Sequence, residues 1–185
     1  MRDYENESKS ISLLVDGMAK SGGFESKNLW DGINIIRTMT KDTKCTKFLS
    51  FVGSIISTGA RGIIKDMLKR KMFDCVITTC GALDHDIARS STKYYSGDFR
   101  MDDTLLYKRN IHRLGNVLVP QKNYGPVIEK KVQECLNDLY KKGIKNVPTY
   151  EITRSMGSAL NDSSFLYWAY KNDIPVIVPG IVDGA

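Results

Sequence analysis

Two short apolar runs, Lys47-Phe-Leu-Ser-Phe-Val52 and Phe73-Asp-Cys-Val-Ile-Thr78, each reach a glycine within a few residues, Gly53 and Gly81, and then open into a helical pattern. Strand, glycine and helix in immediate repetition are the signature of a βαβ unit, and a βαβ unit forces a parallel sheet. Between the runs, Ile63, Ile64, Met67 and Leu68 form the apolar face of a crossover helix, with Lys65, Asp66, Lys69 and Arg70 outside. Such a crossover is right-handed. The expected class is therefore α/β, a mostly parallel Rossmann-like sheet flanked by helices. In open parallel sheets ligands bind beyond the carboxyl ends of the strands, where helix N-termini present N–H groups to anionic atoms.

The rest of the chain fits that frame. Ile11 to Ala19 and Leu29 to Met39 carry apolar residues at helical spacing around a Ser21-Gly-Gly-Phe24 turn, so two helices precede the sheet. Ser90 to Tyr107 is polar and irregular, and its aromatics predict an ordered loop that buries them. Asn116-Val-Leu-Val-Pro120 is a short apolar segment followed by a helix with Val127, Ile128, Val132, Cys135, Leu136 and Leu139 on one stripe, ended by Gly143. Tyr150 to Leu160 and Ser164 to Tyr170 read as helices, and Ile174 to Pro179 as a further strand. With 185 residues, no repeat and no composition break, residues 1–185 are expected to belong to a single domain.

Composition narrows the function classes. The net charge of +6 is spread along helices, and Lys65, Lys69, Arg70, Lys71, Lys130 and Lys131 read as solvated faces, so no direct nucleic-acid partner is expected. Cys45, Cys75, Cys80 and Cys135 show no C-x-x-C spacing, which suits a reducing compartment. No signal-peptide core and no membrane-length apolar run appear, so the expected location is cytoplasmic, with no membrane partner. Neither His85 nor His112 sits among metal-spaced ligands, and no metal site is predicted.

The candidate site residues gather at the two strand ends. Gly53, Gly59 and Gly62 do not follow G-x-G-x-x-G. Two readings stay open: Gly53 admits a ligand to the backbone while Ser54 and Ser57 offer hydroxyls, or the glycines serve turning and helix-on-sheet packing. After Thr79-Cys80-Gly81, Asp84, His85 and Asp86 fan around a helix and cannot share one ligand. His85 could bind an amine or shuttle a proton, and Asp84 could pair with an ammonium; equally, Asp84 could support the helix start and His85 be an ordinary polar contact. Asp183 follows the last strand, placed for a ribose hydroxyl or simply for an Asp-Gly turn. Tyr167-Trp168-Ala-Tyr170 reads as helix packing, and no catalytic residue is assigned.

Taken together, the chain resembles the deoxyhypusine synthase family. The resemblance rests on Gly23-Phe24, Phe51-Val-Gly-Ser-Ile-Ile-Ser-Thr-Gly59, Val76-Ile-Thr-Thr-Cys-Gly81, Asn110-Ile-His-Arg-Leu-Gly-Asn-Val-Leu-Val-Pro120, and Tyr167-Trp-Ala-Tyr-Lys-Asn-Asp-Ile-Pro-Val176 leading to Asp183-Gly184. The Leu83-Asp-His-Asp86 segment is similar to archaeal members; animal members carry a glutamate where this chain has His85. The resemblance implies an NAD-dependent transferase that moves the aminobutyl group of spermidine, by way of an enzyme lysine, to a lysine of the hypusine-containing translation factor precursor. It implies that Gly53, Ser54, Ile55, Ile56, Ser57, Thr79, Cys80, Gly81, His85 and Asp183 hold NAD, and that Asp84 and His85 lie near the amine substrate.

Family members continue beyond the Asp-Gly matching Asp183-Gly184 into further strands and a Trp-Gly-Lys segment bearing the nucleophilic lysine, a segment absent from residues 1–185. The resemblance therefore implies an N-terminal portion of the fold, incomplete at its C-terminus and inactive alone, that works in a homotetramer or with a complementing C-terminal half. Two other readings remain: an inactive or regulatory paralogue that completes a partner subunit, and a small NAD- or nucleotide-binding protein without transferase activity.

Overall fold

The computed structural model describes residues 10–182. Two compact units divide at Thr46 and Lys47. The first is a helical hairpin of α1 (Ile11–Ser21) and α2 (Phe24–Lys41). Ser10 starts it, its hydroxyl accepting from the Leu13 N–H at 3.3 Å, and Gly22 and Gly23, at φ 64° and 84°, make the turn that the sequence predicts. The indole N–H of Trp30 donates to Asp16 at 3.3 Å and ties the two helices.

The second unit is built on a parallel sheet of β1 (Phe48–Phe51), β2 (Cys75–Thr78) and β6 (Val176–Ile177), in the order β1-β2-β6. Its register sets Phe48 beside Cys75, Phe51 beside Thr78 and Ile77 beside Ile177. A 3-10 turn over Gly53–Ser57 and helix α3 (Ala60–Lys69) connect β1 to β2, and α4 (Cys80–Arg89) leaves β2 directly. Each connection steps the same way across the sheet, so right-handed crossovers stack their helices on one face. Side chains agree: Leu49, Phe51, Val76, Val176 and Val178 belong to the core with Leu68, Leu83, Ile87, Phe165 and Leu166. Phe48 and Val52 are exposed instead.

Helices α6 (Gly125–Lys141), α7 (Thr149–Ser158) and α8 (Phe165–Lys171) match the three predicted helical stripes. The α7–α8 crossing is tight, because a Cβ on Gly157 would stand 2.5 Å from the Leu166 carbonyl oxygen.

The segment from Ser90 to Tyr107 departs from expectation. It contains β3 (Tyr95–Ser96) and α5 (Asp103–Lys108), the latter capped by the Asp102 carboxylate, which accepts from the Thr104 and Leu105 N–H groups. Tyr95, Phe99 and Tyr107 are exposed, so burial of aromatics is not what orders the segment; Tyr94 alone among these goes inward. A second, antiparallel sheet, β3-β5-β4, forms here from β4 (Ile111–Leu114) and β5 (Val117–Pro120), joined at Gly115 with φ 61°. The sequence marks β5 by its apolar run. It hides β4, whose Ile-His-Arg-Leu order does not alternate polar with apolar although the burial of its four residues does.

Candidate functional site

Parallel pairing of Phe51 with Thr78 delivers the residues after both strands to the same sheet edge. There the Gly53 N–H donates to the Thr79 hydroxyl at 2.9 Å. Thr79 is the N-cap residue of α4, yet its hydroxyl is used across to Gly53 and no side chain caps that helix. A Cβ on Gly53 would lie 2.5 Å from the Ala82 nitrogen and 2.6 Å from the Gly81 carbonyl carbon. Close backbone packing therefore requires Gly53. At Gly59 and Gly62 an added Cβ meets nothing within 4 Å, so packing requires neither.

A cleft of about 670 Å³ opens over these strand ends, walled by Ser50, Phe51, Val52, Ile77 to Gly81, Pro179 and Gly180. Thr79, Cys80 and Gly81, three of the expected cofactor residues, border it. Within the protein a Cβ on Gly81 would meet only the Gly53 Cα, at 3.9 Å, so the space beside Gly81 belongs to the cleft. A glycine-lined wall and an uncapped helix start suit an anionic group such as a dinucleotide's phosphates, and on that ground these residues fit NAD.

The Gly53–Ser57 turn divides. Ser54 is exposed and Ile55 half-buried, whereas Ile56 is fully buried and the buried Ser57 hydroxyl donates to the Ser54 carbonyl at 2.7 Å. Side chains of Ile56 and Ser57 thus hold the turn in place, and Ser54 and the backbone are what it offers outward. Arg89 clamps it from behind, donating to the Ile56 carbonyl at 2.6 Å and the Thr58 carbonyl at 2.5 Å. Asp183 lies outside the described residues.

One turn into α4 the three titratable residues diverge, as helical spacing requires. Asp86 is fully buried: it pairs with the Arg61 guanidinium at 2.6 Å and accepts from the Ser164 hydroxyl at 2.6 Å and the Leu166 N–H at 3.1 Å. It thereby joins α4 to α3 and to the start of α8. No local signal marks this role, because Arg61 and Ser164 are remote in sequence.

Asp84 faces a separate cavity of about 250 Å³, lined mostly by apolar residues including Ile87, Ile128, Val132 and Met156. Its carboxylate is 3.5 Å from the Tyr124 hydroxyl and 3.9 Å from the Cys80 sulfur, and Cys80 borders both this cavity and the strand-end cleft.

His85 does not line the strand-end cleft. Its Nδ1 is 3.0 Å from the Tyr94 hydroxyl, with the Tyr94 ring edge-on at 5.7 Å and the Tyr124 ring tilted against it at 5.3 Å. Burial, helped by the Arg89 charge, pushes its pKa down from 6.5 to about 4. Burial raises both phenols, Tyr124 to about 12 with Asp84 adding to the effect. Tyr94, Tyr124 and Arg89 gather around His85, a grouping that no sequence spacing reveals. His112 is exposed on β4, and among the described residues no group of three metal-ligating side chains assembles.

The comparisons with known proteins agree on one family. The family model for deoxyhypusine synthase matches residues 13–185. Proteins named probable deoxyhypusine synthase from Picrophilus torridus and Thermoplasma volcanium are each 48% identical over 177 residues, 95% of this chain and 56% of theirs. A relative of the same name from Sulfolobus acidocaldarius is 41% identical over 179 residues, 96% of this chain and 56% of its own. A crystal structure from Entamoeba histolytica that carries the deoxyhypusine synthase name superposes over 100% of this chain and 63% of that one, with TM-score 0.66 at 20% identity, a likeness of fold. The chain thus spans little more than half the length of these curated relatives.

Proposed function

The chain belongs to the deoxyhypusine synthase family, and from that membership we propose that it forms the cofactor side of an NAD-dependent aminobutyl transferase. The substrates in this reading are spermidine and a lysine of the hypusine-containing translation factor precursor. The observation that carries it is the meeting of Gly53 with Thr79, Gly81 and Ala82 at the carboxyl edge of a parallel sheet, beside an open cleft.

In this reading Thr79, Cys80, Gly81, Ser54, Ile55 and the backbone of the Gly53–Ser57 turn hold NAD, and Asp183 adds a ribose contact. Ile56 and Ser57 contribute by fixing the turn from within. When bound, NAD supplies a hydride acceptor for amine oxidation and later returns the hydride. Asp84, a buried carboxylate facing an apolar cavity next to Cys80, is positioned to pair with an ammonium head while the cavity wall covers methylenes. In this reading His85, which lines neither the cleft nor the Asp84 cavity, meets cofactor or amine only through the edge of its ring. The lysine that accepts the aminobutyl group lies outside residues 1–185 in this reading and is supplied by the C-terminal portion of the family fold, within a homotetrameric assembly in the cytoplasm. Among the described residues no helix is long and apolar enough to cross a membrane.

The test is complementation. The chain is mixed with NAD, labelled spermidine and the precursor, first alone and then with the C-terminal portion of the Picrophilus torridus relative. Label transfer only in the second mixture is expected. Transfer by the chain alone would overturn the assignment of the lysine. Calorimetric NAD binding without transfer in either mixture would favour the regulatory paralogue or the simple nucleotide-binding protein.

A further inference from the structure

We propose that Tyr94 is a positioning residue for His85: its hydroxyl donates to Nδ1 and fixes the imidazole as the Nε2–H tautomer, so that His85 offers a ligand a hydrogen-bond donor. This rests on the reading of the sheet edge as the cofactor side. It resolves the two roles open to His85 in favour of an acceptor atom on the ligand, a carboxamide, hydroxyl or phosphate oxygen, over the ammonium of an amine.

The direction of the bond follows from acidity. At 3.0 Å the Tyr94 oxygen and His85 Nδ1 share one proton between a phenol and an imidazole. The phenol is the better acid and the imidazole the better base, so O–H donates and Nδ1 accepts. Both groups stay neutral near pH 7, since burial raises the phenol and lowers the imidazole. With Nδ1 accepting, the ring proton resides on Nε2.

Nε2 makes no hydrogen bond among the described residues. No fully buried side-chain nitrogen or oxygen there lacks a partner, so Nε2 is reached by solvent. An ammonium has donors only and cannot bond to an N–H.

The surroundings hold this geometry in register with the cofactor turn. Arg89, one turn along α4, stacks on the Tyr94 ring at 5.5 Å while its N–H groups clamp the Ile56 and Thr58 carbonyls. Tyr124, at the start of α6, covers another side of the imidazole and reaches towards Asp84. Among the described residues none of these groups other than Tyr94 bonds to Nδ1.

The experiment is a long-range proton–nitrogen imidazole correlation on the ¹⁵N-labelled chain near pH 7. The chain has 2 histidines, so His112→Gln assigns both. The expected spectrum shows a bonded, unprotonated Nδ1 and a protonated Nε2 at His85. Tyr94→Phe keeps the ring and removes the hydroxyl; Nδ1 should move downfield to the position of an unbonded imidazole nitrogen, while Tyr124→Phe leaves it in place. A protonated Nδ1 in the wild type, or an Nδ1 resonance unmoved by Tyr94→Phe, would overturn the proposal, and the wild-type spectrum decides even if that variant fails to fold. Where NAD binds, its addition should move the Nε2–H resonance and spermidine should not; the reverse overturns the acceptor assignment. Lack of any NAD binding by calorimetry counts against the proposed function and leaves the tautomer result standing.

Discussion

Asp86 is fully buried and satisfied by four groups from two other helices: the Arg61 guanidinium, the Ser164 hydroxyl and the Phe165 and Leu166 N–H groups. Removing one member leaves a buried arginine and two helix-start N–H groups without their partner. Asp86→Ala should therefore cost about 3–5 kcal/mol in denaturant unfolding, whereas the exposed pair of Lys27 and Asp31 should lose less than about 1 kcal/mol on Asp31→Ala. His85 gives a pH dependence with a definite sign. Its pKa falls from 6.5 to about 4 on folding, chiefly by burial, so the unfolded chain binds the proton first as pH drops. The contribution is fully present above about pH 6.5 and is lost towards pH 4, on the order of 2–3 kcal/mol in all once solvent screening at the partly exposed ring is allowed for. Unfolding midpoints at about pH 7.5 and about pH 5 should differ in that direction, and His85→Gln should flatten the difference.

The strand-to-helix junctions were legible in the sequence because two periodicities meet there: an apolar run of strand length, then a helical stripe separated by glycine. Ile63, Ile64, Met67 and Leu68 gave away α3, and Ile128, Val132, Cys135 and Leu139 gave away α6, since ten or more residues allow a stripe to repeat. By contrast β3 has two residues and α5 six, lengths at which no period can be counted. The division of labour at the site was likewise invisible. Which glycine is required depends on the 2.5 Å approach of α4 to Gly53, a distance between segments that local pattern does not encode. Gly53→Ala should push the turn and α4 apart, cost about 1–3 kcal/mol and weaken NAD binding in calorimetry. Gly62→Ala, inside α3 with open space around it, should stabilise by up to about 1 kcal/mol and leave binding unchanged. Equal effects at the two positions would show that backbone approach is not what Gly53 provides.

At the scale of the molecule, the parallel sheet has one face packed by helices and one that presents Phe48, Val52 and the half-buried Ile77 and Ile177. Parallel sheets are ordinarily covered on both faces. The chain alone should therefore bind a hydrophobic dye such as anilinonaphthalene sulfonate, and adding the C-terminal portion of a relative should quench that signal by covering the face. Phe48→Ser should lower the signal without lowering the melting temperature, because Phe48 lies outside the core cluster. Strand β6 has a consequence in time. Val76 pairs with Val176, one hundred residues downstream, whereas β1 and β2 are joined by a single short crossover. On a ribosome the β1-α3-β2 unit can close early and α4 can dock on the Gly53–Ser57 turn, but β6, the partner for the far side of β2, has not yet been made. The rate of elongation between Thr79 and Val176 should therefore set how long that side of β2 stays open in the nascent chain.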